Sequence, residues 1–329
     1  MVDFQSRMKS GVITGIGKGL KSFIWIFKII FPVSFLVTIL QWSNLLNYLD
    51  FIFEPLMRFL NLPNEASLPI ITGMLLGIYS VIAIITVIPF TLDQMTLIAI
   101  FTMISHALIV EGIIQHKSGL NIFKASVIRL TASIVAVLIV SKFLGDTSQS
   151  IALPIDLMQN VTLINVLNNW VLDILNLLLK VFVIVMIVMI LLESFKALGW
   201  IEYSFKYFRP LLRILGLSDR TAPMCIVANI FGLMYGGTVI VDEINKGNLP
   251  KEELENLHIS IGINHSIIED PAIFAVLGIH TLWLWMPRLI MAIIAVQIYR
   301  ALRFIKMSFL TSDIYTLIIT HTKIGSKRQ

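Results

Sequence analysis

The chain has 329 residues, of which 57% are hydrophobic and 14% charged, with a net charge of +5 and a mean hydropathy of +0.87. A soluble domain carries about 25% charged residues, so this composition excludes one and defines an integral membrane protein. The basic excess lies at the ends of apolar runs, where topology selection places it, and this argues against a nucleic-acid partner.

Residues 1–21 contain Arg7, Lys9, Lys18 and Lys21 and read as a basic cytoplasmic N-terminus. They lack the compact apolar core and small-residue cleavage site of a secretory signal, so the first hydrophobic helix is expected in the mature protein. The glycine-rich "GVITGIGKG" has Val12 and Gly19 where a phosphate-binding loop requires Gly and Ser or Thr, so no nucleotide site follows. Beyond it, charge-free apolar stretches cover 29–49, 66–92, 94–110, 221–241 and 271–287. Further segments at 125–141, 174–192 and 289–299 are interrupted or flanked by Arg129, Lys180 and Arg288. A span needs about 20 apolar residues, and the pattern predicts an all-α, polytopic membrane bundle of about eight segments in contact with lipid. The single cysteine, Cys225, lies in an apolar run and reads as a packed thiol.

The chain repeats itself. "FEPLMRFLNL" (53–62) and "FRPLLRILGL" (208–217) share six of ten residues at an offset of 155, which also carries Gly77 onto Gly232. "SHALIVEG" (105–112) aligns with "NHSIIEDP" (264–271) at an offset of 159, and "DEINKGNLPKEELE" accommodates the four extra residues. The expected organisation is a first repeat over 22–150, a second over 151–309 and a C-terminal tail over 310–329. Charge gives the orientation. Residues 193–220 carry Lys196, Lys206, Arg209, Arg213 and Arg220 against Glu193, Glu202 and Asp219, a net +2, whereas 50–65 carry Asp50, Glu54 and Glu65 against Arg58, a net −2. By the positive-inside rule these stretches belong on opposite faces, so the copies are expected to be inverted, with both termini cytoplasmic. An inverted pair requires a segment in each copy that fails to cross completely. Pro69, Gly73, Gly77 and Pro89 in one copy, and Pro223, Gly232, Gly236, Gly237 and Pro271 in the other, offer places for broken or re-entrant helices.

The second copy places His265, Glu269 and Asp270 within an apolar segment. An ionised carboxylate near the bilayer centre costs on the order of 3 kcal/mol even on a lenient scale, which points to function. On a continuous helix His265 and Glu269 are i, i+4 and share a face, while Asp270 turns aside; His106 and Glu111, i, i+5, match less well. Asn229, Tyr235 and Thr238 lie near the second copy's glycines, and Thr72, Tyr79 and Ser80 near the first's. Glu252, Glu253 and Glu255 read as a solvated helix start, and Trp283 and Trp285 with Arg288 as an interfacial anchor. No zinc-protease or serine-hydrolase motif is present, so no enzyme, cofactor or dedicated metal centre is expected.

The stretch "NIFGLMYGGTVIVDEINKG…ISIGINHSIIEDPAIFAVLG" (229–278), with the repeat, resembles the Gate, or nucleoside recognition, family of bacterial membrane proteins, which includes spore maturation proteins and the gate domains of ferrous-iron and nucleoside permeases. The resemblance implies paired Gate units facing opposite ways in a bacterial inner membrane, moving a solute or gating a pore. Gly232, Gly236, Gly237 and Asn264 through Asp270 carry it. A GTPase domain and a gate cysteine are lacking, and Ser105 and Gly112 stand where the second copy has Asn264 and Pro271. The leading expectation is a transporter or permease component for a small solute or ion, coupled to a proton or cation. Glu269 and Asp270 would bind the coupling ion, His265 would relay it, and Asn229, Asn264 and the backbone of Gly236 and Gly237 would meet the solute; His106 and Glu111 complete the set from the other copy. Two alternatives stand beside it: a non-transporting assembly factor bound to a partner membrane protein or to another copy, and a divalent-metal permease acting through His265 and Glu269.

Overall fold

The computed structural model describes residues 4–43, 45, 47–149, 162–245 and 249–325; the repeat boundary at 150/151 and the side chains of Tyr235, Thr238 and Asp242 lie outside what is described. Helix α1 (Phe4–Trp42) is followed by amphipathic α2 (Asn47–Phe59), by α3 (Ser67–Leu76) and α4 (Ile78–Ile85), which meet at Gly77, by α5 (Leu92–Ser105) and α6 (Leu108–Lys117), which meet at His106–Ala107, and by α7 (Ile122–Val140). The second half runs α8 (Leu163–Ala197), amphipathic α9 (Trp200–Ile214), α10 (Ala222–Asn245), broken at Gly232, then α11 (Lys251–Ile263), α12 (Glu269–Ala275) and α13 (Thr281–Gly325). Five helical stretches are long and apolar enough to cross a membrane: Phe4–Trp42, Leu92–Lys117, Ile122–Phe143, Leu163–Ala197 and Thr281–Ile305. All the described regular structure is helical.

The two halves share their backbone irregularities. Positive φ occurs at Asn61 and Gly216 (57° and 73°), at Gly77 and Gly232 (111° and 81°), at Ala107 and Ser266 (45° and 48°), and at Gly119 and Gly278 (106° and 87°). The first two pairs are 155 residues apart and the last two 159, so the extra residues fall after α4 and its counterpart, where α10 runs on to Asn245. Left-handed backbone is costly for residues with a Cβ, by roughly 1–2 kcal/mol, so its recurrence at Ala107 and Ser266 marks two equivalent breaks imposed by packing.

Helices α1 and α8 occupy equivalent places in the two halves and run antiparallel. A Cβ on Gly11, Gly15 or Gly19 would come within 2.7 Å of Ser194 Cα, 2.6 Å of Ile190 Cα and 2.7 Å of Met186 Sδ respectively. The partner number falls by four as the glycine number rises by four. Thus "GVITGIGKG", which binds no phosphate by its sequence, is a small-residue stripe that lets two membrane helices approach closely. Lys18 Nζ donates to Glu193 Oε1 at 2.6 Å, the rings of Phe23 and Phe182 meet at 4.9 Å, and Trp170 Nε1 donates to Ser34 Oγ at 2.6 Å, so the pairing persists along both helices. In the centre, α5 and α11 pack on one another and each also touches both α7 and α13.

Candidate functional site

The two breaks face each other. Helix α5 ends at Ser105 and α11 at Ile263, and the residues just beyond, His106 and His265, point their Nε2 atoms at one another across 3.3 Å. Ending a helix inside a membrane protein strands its last carbonyls, which lipid cannot satisfy. Arginines on the following helices satisfy them. Arg129 of α7 donates from Nε to Ile104 O (2.8 Å) and from Nη2 to His106 O (2.8 Å). Arg288 of α13 donates from Nε to Ile263 O (3.4 Å) and from Nη2 to His265 O. Both guanidiniums are buried and 159 residues apart. The stranded N–H groups beyond each break are met as well: Ala107 N donates to Gly73 O (2.9 Å), and Ser266 and Ile267 N donate to Ala228 O (3.3 Å) and Asn229 O (2.7 Å).

Glu111 and Asp270 are also equivalent by the 159-residue offset, and both are buried. Glu111 Oε1 lies 3.2 Å from His106 Nε2 and 3.1 Å from His265 Nε2, bridging the two copies. Its Oε2 forms an ion pair with Arg129 Nη1 at 2.7 Å, though at an angle short of a good hydrogen bond. Asp270, one methylene shorter, has its Oδ2 4.0 Å from Arg288 Nη2 and without a hydrogen-bond partner. Each imidazole is fixed by its other nitrogen: His106 Nδ1 lies 3.1 Å from Thr102 O and His265 Nδ1 2.7 Å from Ile261 O. A carbonyl only accepts, so both Nδ1 atoms carry the proton and, in the neutral ring, both Nε2 atoms present lone pairs.

The sequence reading is corrected in three places. His265 and Glu269 do not share a helix face, because the chain is not helical between Ile263 and Glu269; His265 is paired with Glu111, and Glu269 Oε1 accepts from Tyr79 Oη of the other copy at 2.6 Å. The i, i+5 spacing of His106 and Glu111 brings them together because the left-handed Ala107 shortens the path between them. Arg288 is no interfacial anchor but a buried cap, while Trp285 Nε1 donates to Ile267 O.

The remaining candidates sit around this centre. Asn264 is buried as the C-cap of α11. Asn229 donates from Nδ2 to Cys225 Sγ at 3.3 Å and has a buried Oδ1 without a partner. Gly236 and Gly237 are close-packing positions: a Cβ on Gly236 would reach 2.7 Å from Ala228 Cα, and one on Gly237 would collide with Ile114. Glu252 is an exposed partner of Arg303, whereas Glu255 is largely buried against Lys124 (3.3 Å) and Tyr299 Oη (2.7 Å). Sequence reading missed Arg129, Arg288 and Tyr79 as parts of the centre. The arginine pair carried a signal, since its spacing equals that of the two histidines.

What the arrangement can do is bind a small cation or donor-bearing group between the two copies, using carboxylate and imidazole atoms held by a rigid frame. Residues 23–121 match the Gate family model, described as "Nucleoside recognition". The match falls on the first copy, and the second is tied to it by the shared breaks and offsets. The chain is also similar to the uncharacterized membrane protein YvoD of Bacillus subtilis (strain 168), at 24% identity over 279 residues, covering 83% of this chain and 88% of that protein. No solved structure matches it. The chain is a multi-pass, all-helical membrane protein carrying a Gate match, which is the class that fold and sequence comparison define together.

Proposed function

We propose that this protein is a permease of the bacterial cell membrane, in which two Gate-like copies face opposite sides and pass a small cation or cationic solute through the point where their broken helices meet. The antiparallel pairing of the equivalent helices α1 and α8 supports inversion, as do the opposite net charges of 50–65 and 193–220. In that orientation both termini are cytoplasmic. Inverted repeats with discontinuous helices place the binding site at the repeat interface near the membrane midplane, with the interrupted backbone lining it. His106 lies midway along the apolar stretch Leu92–Lys117, which fits that depth. No bond of the solute is made or broken in this reading, so the protein acts without catalysis.

The observation that carries the proposal is the convergence of one histidine and one carboxylate from each copy, with Glu111 within 3.2 Å of both imidazoles. Alternating access follows if the copies rock about this contact, exposing it first to one side and then to the other. Buried carboxylates are expensive at such depth, and a bound cation offsets that cost. The test is reconstitution into proteoliposomes with encapsulated pH- and metal-sensitive dyes. Wild-type protein should dissipate an imposed proton or cation gradient, and Glu269→Gln and Asp270→Asn should slow it at least about tenfold, by analogy with the loss of about 2–5 kcal/mol when a buried charge partner is removed. Unchanged flux in both variants would remove the carboxylates from the pathway, and absence of flux for the wild type across protons and monovalent and divalent cations would sink the permease reading.

A further inference from the structure

We propose that His106, His265 and Glu111 form a binding site for a divalent first-row transition-metal ion of the Zn²⁺ or Co²⁺ kind, with Asp270 at its open side. Three electron-pair donors converge there: His106 Nε2 and His265 Nε2 are 3.3 Å apart, and Glu111 Oε1 lies 3.2 and 3.1 Å from them. Nδ1 of each ring is committed as a donor to a carbonyl, so two neutral imidazoles meeting here have no hydrogen to place between them. Such a triangle is repulsive unless a cation occupies it.

The dimensions select the cation. Donor atoms about 3.1–3.3 Å apart lie at roughly 2.0–2.1 Å from a point slightly off their common plane, which is the Zn–N and Zn–O distance, and that triangle is one face of a tetrahedron. Ca²⁺ requires ligand distances of about 2.3–2.6 Å and six or more oxygens, and Mg²⁺ an oxygen octahedron, neither of which this donor set resembles. Imidazole with carboxylate suits Zn²⁺, Co²⁺ and their neighbours. The supporting shell is already in place. Metal-ligating histidines almost always donate their second ring N–H to a carbonyl or carboxylate, as both do here, and the Glu111 oxygen that faces away from the triangle is held by Arg129.

A second observation points to the same spot. Asp270 Oδ2 is buried without a hydrogen-bond partner, and ligand atoms of His106, His265 and Asp270 all lie within 4.8 Å of one another. Asp270 is the equivalent of Glu111 with one methylene fewer, so it reaches the ion directly after a small shift or through a water. Three protein ligands and one loosely filled position describe an exchangeable site rather than a closed structural one. In the permease reading, on which the ion's role as cargo rests, this exchangeability is what transport requires; the site itself rests on the geometry alone.

The full chain, purified and stripped with chelator, is titrated with Co²⁺ and followed by visible absorption, and with Zn²⁺ by calorimetry. One equivalent should bind, with the intense bands of four-coordinate Co²⁺, and Mg²⁺ or Ca²⁺ in large excess should not displace it. His106→Gln, His265→Gln and Glu111→Gln should each weaken binding at least about tenfold, and Asp270→Asn less, while His280→Gln, at an exposed histidine outside the cluster, should leave it unchanged. Wild-type protein should also gain thermal stability on adding Zn²⁺, a readout independent of whether any variant folds. No stoichiometric binding, octahedral Co²⁺ spectra, or full affinity in both histidine variants would overturn the site. Equilibrium binding separates the two proposals: metal bound without flux keeps the site and removes the permease, and proton flux without metal binding does the reverse.

Discussion

Arg288 repeats Arg129: each leaves the helix after a break, is buried, and donates to the carbonyls of the residue at the break and of the residue two before it. The two differ in what they do next. Arg129 also meets Glu111 at 2.7 Å, whereas Arg288 stands 4.0 Å from Asp270. Removing one partner of a buried ion pair costs about 3–5 kcal/mol because the other charge is left uncompensated. Arg129→Met should therefore lower the thermal unfolding midpoint in a fixed detergent more than Arg288→Met, and adding Glu111→Gln to Arg129→Met should recover part of the loss. Equal midpoints for both arginine variants would show that helix capping alone accounts for them.

The duplication and the depth of the polar cluster were legible in the sequence because both survive as local signals: a decapeptide repeated at 155 and a histidine–acid segment repeated at 159. The pairing within the cluster was not. The i, i+4 relation of His265 and Glu269 presumes a helix, and the helix stops because Ser266 takes a left-handed conformation that no glycine announces. Ala107 hides its break in the same way. Arg129 and Arg288 were passed over because a hydropathy reading treats arginine within an apolar run as its edge, when lipid-inaccessible carbonyls at a broken helix are a reason for it to sit inside. The glycines told less about solute than about packing, since a helix crossing and a solute cavity call for the same absent side chain.

That last point is testable at the crossing of the two halves of α10. In the first copy Gly73 meets the larger Val81; in the second the equivalents are Ala228 and Gly236, so the glycine has changed sides of the same contact. Gly236→Ala places a Cβ 2.7 Å from Ala228 Cα, a backbone atom that cannot step aside. Overpacking of this sort costs about 1–3 kcal/mol. Ala228→Gly in the same chain restores the first copy's arrangement and should return most of the lost stability, measured as the unfolding midpoint; no recovery would mean the two positions do not share one contact.

The stripe on α1 carries its own internal control. Gly15 lies against the backbone of Ile190, while a Cβ on Gly17 would meet nothing within 4 Å. Alanine is favoured over glycine in a helix by roughly 0.5–1 kcal/mol, so Gly17→Ala should hold or raise the unfolding midpoint. Gly15→Ala should lower it, and Gly15→Leu should lower it further by forcing α1 from α8. Comparable behaviour at 15 and 17 would contradict close packing through this stripe.

One end of the bundle is tied by charge and the other is not. Glu255 of α11 accepts from Tyr299 Oη at 2.7 Å and pairs with Lys124 at 3.3 Å and Arg303 at 3.7 Å, joining α7, α11 and α13, and Lys124 also bonds Tyr299. At the 159-residue offset the equivalent residues are Thr96, Val140, Trp283 and Leu144, none charged. If the copies are inverted, this cluster lies toward one membrane face only. Partly exposed pairs contribute about 1 kcal/mol or less each and weaken with salt, so Glu255→Gln should change overall stability little. Its effect should appear in access to the interior. The chain's single cysteine, Cys225, is fully buried beside Asn229, and its rate of reaction with a membrane-permeant maleimide reports opening. Glu255→Gln, and to a lesser degree Lys124→Met, should accelerate labelling several-fold at low salt, with the wild type approaching those rates as salt is raised. Identical rates in all three proteins at every salt concentration would show that the cluster is a surface ornament and leaves the bundle's closure to apolar packing.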